Sequence, residues 1–246
     1  MKSLSEYELE VNSLYAEAIS SETLAEKLLL LAGEGNPHAM LELGTLYEKG
    51  SGVEQNNNAA IYQYVLAGEM GLLQAKYQLG VTWEFGRCGV APSYELASKI
   101  YKEVADLGHS DAQCQLGGLY ERGYGVEQNH ETAALYYKLS SENGNTRATF
   151  LLADCYMNGL GVIKSVTEAL NLFHKAANQG HGFSQLILAV RYKHGHELPT
   201  DYVKAYTYAD LASHNATTES DRSAAIRLRD EIYGRMPDAE KNAVLP

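Results

Sequence analysis

The chain has 246 residues, 45% of them hydrophobic, and sets 20 Lys and Arg against 31 Asp and Glu for a formal net charge of −11. That balance repels nucleic acid and anionic membrane surfaces, and it suits a basic partner better than an acidic one. No stretch approaches the ~18 consecutive apolar residues of a membrane span, and the acidic start MKSLSEYELEVNSLY lacks the basic lead and apolar run of a secretory signal.

In chain order, residues 1–36 read as a degenerate first unit. Its second half, SSETLAEKLLLLAGEG, carries a helix pattern behind the cap residue Ser20. From residue 37 the chain repeats itself. YEKGSGVEQN at 47–56 returns as YERGYGVEQN at 120–129, and the offset is two steps, one of 36 residues and one of 37. The same steps align Gly35, Gly71, Gly108, Gly144 and Gly180 in one column and Gly50, Gly86, Gly123, Gly159 and Gly195 in a second. They also align the leucines 43, 79, 116, 152 and 188, the small residues Gly44, Gly80, Gly117, Ala153 and Ala189, and the aromatics Tyr47, Trp83, Tyr120, Tyr156 and Tyr192. The one extra residue lies in the loop Gly86–Arg87–Cys88–Gly89. A period of this size means stacked supersecondary units.

Each unit reads as two helices. In HAMLELGTLYEKG, Ala39, Leu43, Leu46 and Tyr47 recur at three- and four-residue steps, which gives helix A one apolar stripe. Gly50 supplies the positive φ that stops it. Helix B begins behind Asn56, Ser93, Asn129, Ser165 or Asp201, all N-capping types, with Ser165 and Glu168 spaced for a capping box. An alanine four residues further on (Ala60, Ala97, Ala133, Ala169, Ala205) permits close helix approach. The last unit loses its second loop glycine, Glu197 standing in the Gly52 column. Residues 218–235 read as a charged closing helix, and a short helix is expected after Met236–Pro237.

These columns resemble the Sel-one-like repeat family, α/α relatives of the tetratricopeptide repeat. Ala39, Leu43, Gly44, Tyr47, Gly50, Gly52, Val53, Asn56 and Ala60 match its pattern, as do Ala112, Leu116, Gly117, Tyr120, Gly123, Gly125, Val126, Asn129 and Ala133. The resemblance covers about residues 37–216 and departs from the family's glycine at Ala153 and Ala189. It implies an all-α, right-handed superhelical solenoid of five to six helix-pair repeats, a single domain made of a degenerate unit (1–36), five repeats (37–216) and C-terminal capping helices (217–246). It also implies a non-enzymatic adaptor or scaffold that binds another protein. The sharper alternative is an immunity protein that covers the active site of a secreted bacterial toxin, and an enzyme is a third class.

If helix A lines a concave groove as in the tetratricopeptide relatives, its exposed columns are the candidate partner-binding surface. One column holds Glu48, Glu84, Glu121 and Met157, an acidic row whose joint charge reversal is expected to weaken binding. Phe85, Tyr77, Val81 and Asp154 stand in the neighbouring columns. Tyr77 and Phe150 are expected to pack between units rather than face a ligand. No catalytic residue, metal or cofactor is expected: His194 and His196 in KHGHELP lack a ligand set, and the Gly-x-Gly-Val loops follow helices rather than strands. Cys88, Cys114 and Cys155 fit neither a disulfide framework nor a metal spacing, which points to a reducing cytoplasm, and the family resemblance implies a bacterial one. Family members with paired cysteines linking the helices of a unit are not matched by these three positions.

Overall fold

The computed structural model describes residues 2–17 and 20–244, and among them every regular element is helical. The helices gather into two compact units, Met1–Gln128 and Asn129–Pro246. The first holds α1 (Leu4–Ala16), α2 (Ser21–Gly33), α3 (Pro37–Lys49), α4 (Asn57–Glu69), α5 (Leu73–Phe85), α6 (Tyr94–Asp106) and α7 (Ser110–Arg122). The second holds α8 (His130–Glu142), α9 (Thr146–Asn158), α10 (Val166–Asn178), α11 (Gly182–His194), α12 (Tyr202–Asn215), α13 (Glu219–Arg235) and α14 (Asp238–Lys241). Within each unit the extensive contacts run between helices adjacent in the chain, α1 on α3 and α12 on α14 being the added pairs. That neighbour-only packing is what a helical repeat requires. The odd-numbered helices α3 to α11 are the A helices, and the even-numbered α4 to α12 are the B helices.

Side chains start the B helices where the sequence places them. Ser20, Asn56, Ser93, Asn129, Ser165 and Asp201 each accept the backbone N–H three residues on. The capping box expected at Ser165 and Glu168 forms only in half. Ser165 Oγ accepts from Glu168, but the Ser165 N–H donates to the Tyr156 carbonyl at 2.9 Å, so the Glu168 carboxylate has no donor left to meet. A complete box stands at Ser3 and Glu6, at the head of α1.

Glycine ends the helices. Gly35, Gly71, Gly108, Gly144 and Gly180 all have φ between 84° and 90°, and each time the next residue's N–H closes on the carbonyl five residues back, as Asn36 does on Leu31. This is the Schellman closure. The second loop glycine answers a different demand. A Cβ on Gly52, Gly125 or Gly161 would lie 2.1, 2.2 or 2.0 Å from the carbonyl group of Ser21, Tyr94 or His130, the first residue of the preceding B helix. The loop is thus pressed against the repeat before it. Glu197, which replaces this glycine in the last repeat, keeps the left-handed conformation with φ of 55°. The extra residue of the second loop is absorbed in a 3-10 turn, Arg87–Gly89, with Cys88 at φ 53°.

Small residues on the A helices make room for large ones on the B helices. A Cβ on Gly44 would meet the Tyr64 ring at 2.6 Å, and one on Gly80 the Tyr101 ring at 2.4 Å. In the second unit the partner shrinks as the glycine becomes alanine: Ala153 shares its core with Phe173, and Ala189 with Ala209. Ile232 of α13 and Met236 join that same core, so the charged closing helix seals it with an apolar underside.

Candidate functional site

The glutamate column is not an open acidic row. Glu84 is 4% exposed, against the exposure expected from its column. It accepts the Tyr101 hydroxyl at 2.8 Å and the Gln115 amide at 3.3 Å, with Arg122 3.9 Å away. Glu48 is half-buried. It accepts the Tyr64 hydroxyl at 2.9 Å and a two-pronged bond from Arg87, at 2.6 and 2.7 Å. The physical reason is the glycine column. Gly44 and Gly80 let a tyrosine ring lie flat on helix A, and its buried hydroxyl then needs an acceptor one turn further on. Burial, together with the adjacent carboxylate, pushes the Tyr64 and Tyr101 hydroxyls to higher pKa, so both stay protonated donors. The second unit shows the converse. Where the B residue is Phe173, which has no hydroxyl, the column position is Met157, packed against the same core. Where it is Ala209, the column position is Lys193, which is buried and pairs with Glu231 of α13 at 2.7 Å. Charge reversal at Glu84 therefore perturbs folding before it reports on docking. Glu121 is half-buried, and its backbone carbonyl accepts from Gln128.

Tyr77 is half-buried, stacked on His109 with centroids 5.0 Å apart and tilted against Tyr101 at 5.7 Å. Phe150 repeats the arrangement in the second unit, stacked on His181 at 4.8 Å and edge-on to Phe183 at 5.5 Å. Both aromatics thus bridge successive repeats, as expected. The two histidines cap α7 and α11 with Nδ1, accepting from Ala112 and Ser184. Burial lowers the pKa of both, in keeping with a neutral ring that accepts at Nδ1.

Phe85 is 61% exposed, as its otherwise polar column suggests, and Val81 is half-buried one turn before it. Asp154 is half-buried and accepts from the Asn158 side chain at 2.9 Å. Met157 meets Arg191 through sulfur at 3.7 Å. Cys114 and Cys155 are buried and Cys88 is half-buried. Burial, with Glu48 close by, raises the Cys88 thiol, which keeps it in its unreactive form. Among the described residues no group of three His, Cys, Asp or Glu could hold a metal, and no helix is long and apolar enough to cross a membrane.

One stripe was not singled out in the sequence, although Val190 shares the candidate column of Val81 and Asp154. The outer face of α11 carries Phe183, Ile187 and Val190, at i, i+4 and i+7. With Leu186, Arg191, His196 and Glu197 they line an open cleft of about 490 Å³. In the other A helices the same columns are mostly polar, and several of those residues bond within their unit. Gln74 pairs with His109, Gln78 with Arg87, Gln115 with Glu84, Thr45 with Tyr64, and Glu42 with Tyr15. Aligning all five A helices and asking where these columns turn apolar would have found it.

The repeat spacing, the paired helices and the glycine closures find their match in a known family. The Sel1 repeat model matches residues 37–72, 73–109, 110–145, 146–181 and 182–215 without a gap. The chain belongs to the Sel1 repeat family. A solved Sel1 repeat protein from Oxalobacter formigenes is 29% identical, with a TM-score of 0.77 over 92% of this chain and 88% of that one. The Pseudomonas aeruginosa immunity protein Pa5087 shares the fold at 20% identity, with a TM-score of 0.54 over 92% of this chain and 82% of its own. Among curated proteins, the chitin synthase regulator SKT5 of Malassezia restricta is 34% identical over 86 residues, 34% of this chain. The chain spans only 6% of that protein's length. Sel1 repeat proteins generally mediate contacts with other proteins.

Proposed function

We propose that this Sel1 repeat protein is a non-enzymatic scaffold that holds a partner protein on the A-helix face, with the stripe on α11 as its main anchor. The observation that carries the reading is that stripe. Phe183 is 58% exposed and Val190 40%, and with the half-buried Ile187 they form an apolar row along an open cleft. Exposed apolar rows at helical spacing fit an apolar helix or extended segment of another protein. Met157, touching Arg191, and Asp154, in the column of Val190, border the row on α9. Val81 and Phe85 on α5 and Glu121 on α7 are proposed as separate contacts within the first unit. The acidic balance favours a basic partner, and an odd number of cysteines at spacings that fit no disulfide framework suits a reducing cytoplasm.

The test compares the proteins captured from the source organism by the wild-type chain and by Ile187→Asp, at matched folded fraction by circular dichroism. A protein held by the first and lost from the second is the expected result; identical captures refute the reading. Neutralisation of a secreted toxin is the sharper form of the same proposal. It draws support from the acidic charge and from the shared fold with Pa5087. A captured nuclease or other toxin whose activity the chain inhibits would establish it, and inhibition absent at saturating chain would dismiss it.

A further inference from the structure

A second surface, independent of α11, has its own chemistry. The leucine and aromatic columns form the floor of clefts on the B-helix side. In the first repeat Leu43, Tyr47 and Val53 make that floor, Ala25 and Leu29 of α2 make the wall, and Glu22 and Glu26 stand on the rim above about 310 Å³ of space. Leu29 is 53% exposed although it flanks an apolar floor. A cleft on the corresponding Leu152 and Tyr156 in the second unit differs. Lys138, the column equivalent of Leu29, lines it together with Lys175, Glu142 and Glu168, so its charges balance. The rim in the first unit has no such balance. Glu22 and Glu26 are four residues apart and share one face of α2, and among the described residues neither makes an ion pair. The charge around them is one-sided. The first unit sets 8 Lys and Arg against 18 Asp and Glu, a net of −10, whereas the second sets 12 against 13, a net of −1.

We infer that the cleft between α2 and the loop after α3 docks a cationic segment of a partner protein. One aliphatic side chain would sit on Tyr47 and Val53 beside Leu29, above the buried Leu43, and a Lys or Arg on each side of it would meet Glu22 and Glu26. An aliphatic seat alone would accept any apolar segment; the paired carboxylates select against acidic ones, because like charges brought to a rim are repelled. The one-sided charge of the unit also speeds encounter with a basic segment and makes the binding salt-sensitive. A second copy of this chain is a poorer occupant, since it would bring its own −10 unit into the same field.

The experiment is a methyl and backbone NMR titration of the full chain. The probe is a short synthetic peptide carrying one leucine flanked by lysines at helical spacing; its counterpart has glutamates in place of the lysines. The expected result is saturable shifts at Leu29, Leu43 and Val53 with the lysine peptide and none with the glutamate peptide. Glu22→Gln with Glu26→Gln weakens binding about fivefold, as the loss of two exposed ion pairs should, and Leu29→Ser weakens it independently. All three positions are exposed on α2, so the variants keep their fold. Shifts scattered over the acidic surface and indifferent to the double substitution would overturn the inference, as would the absence of shifts. So would the same shifts appearing without peptide as concentration rises, which would mark a second copy as the occupant.

Discussion

Replacing Tyr101 by Phe tests the reading of the glutamate column as a set of internal partners. Tyr101 is fully buried and its hydroxyl bonds the equally sequestered Glu84. The single change deletes one hydrogen bond to a charged group and leaves the carboxylate with Gln115 at 3.3 Å and a distant Arg122. The expected cost is about 1.5–3 kcal/mol. Glu84→Met alone strands the tyrosine hydroxyl and should cost about 1–3 kcal/mol. The chain itself suggests the repair, because its fourth repeat has Phe173 and Met157 at these two columns. The double variant Tyr101→Phe/Glu84→Met therefore leaves no orphaned polar group from the pair and should recover most of the loss, with a coupling of about 1–3 kcal/mol. Urea unfolding of the four proteins, read by far-ultraviolet circular dichroism, gives the cycle. For a chain of this size each kcal/mol is about 2–4 °C in Tm, so thermal scans give a second reading. A double variant as unstable as the sum of the two singles would refute the reasoning.

Three further outcomes follow from particular contacts. Gly52→Ala, with φ of 71° and the Ser21 carbonyl in the way, should cost well above the ~1 kcal/mol expected for Gly71→Ala, which has φ of 90° but open space; equal losses by urea denaturation would show that the loop is not pressed on α2. Asn56→Ala removes the α4 cap and should cost about 1 kcal/mol, with Asn56→Asp near neutral in the same assay. His109 and His181 cap as neutral rings with lowered pKa, so the unfolded chain takes up protons first as pH falls. Their contribution is full above the ordinary histidine pKa of about 6.5 and is lost as pH drops below it. His109→Asn with His181→Asn should flatten that slope between neutral and mildly acidic pH, and an unchanged slope would assign it to other groups.

The helices, their caps and their stops were legible because each depends on contacts within a few residues, and five copies make the spacing plain. The capping box at Ser165 was misjudged because the competing acceptor, the Tyr156 carbonyl, belongs to the preceding helix. The same distance hid the role of Glu84. Its partner Tyr101 lies 17 residues ahead on the next helix, and nothing inside α5 separates a solvated glutamate from a buried one. The signal that could have shown it was the joint change to Met157 and Phe173. The α11 stripe was not singled out for a related reason: Val190 stands in a candidate column, but Phe183 and Ile187 beside it look like core residues until the polar bonds made by the matching columns elsewhere are seen.

The most direct measurement is calorimetric titration of the captured partner into three purified chains: wild type, Ile187→Asp, and the repacked Tyr101→Phe/Glu84→Met. An α11 anchor predicts at least about a tenfold loss of affinity for Ile187→Asp, as for a buried contact worth over 1 kcal/mol, with the repacked chain binding like wild type. Normal binding by Ile187→Asp together with lost binding by the repacked chain would return the site to the glutamate column and contradict the account.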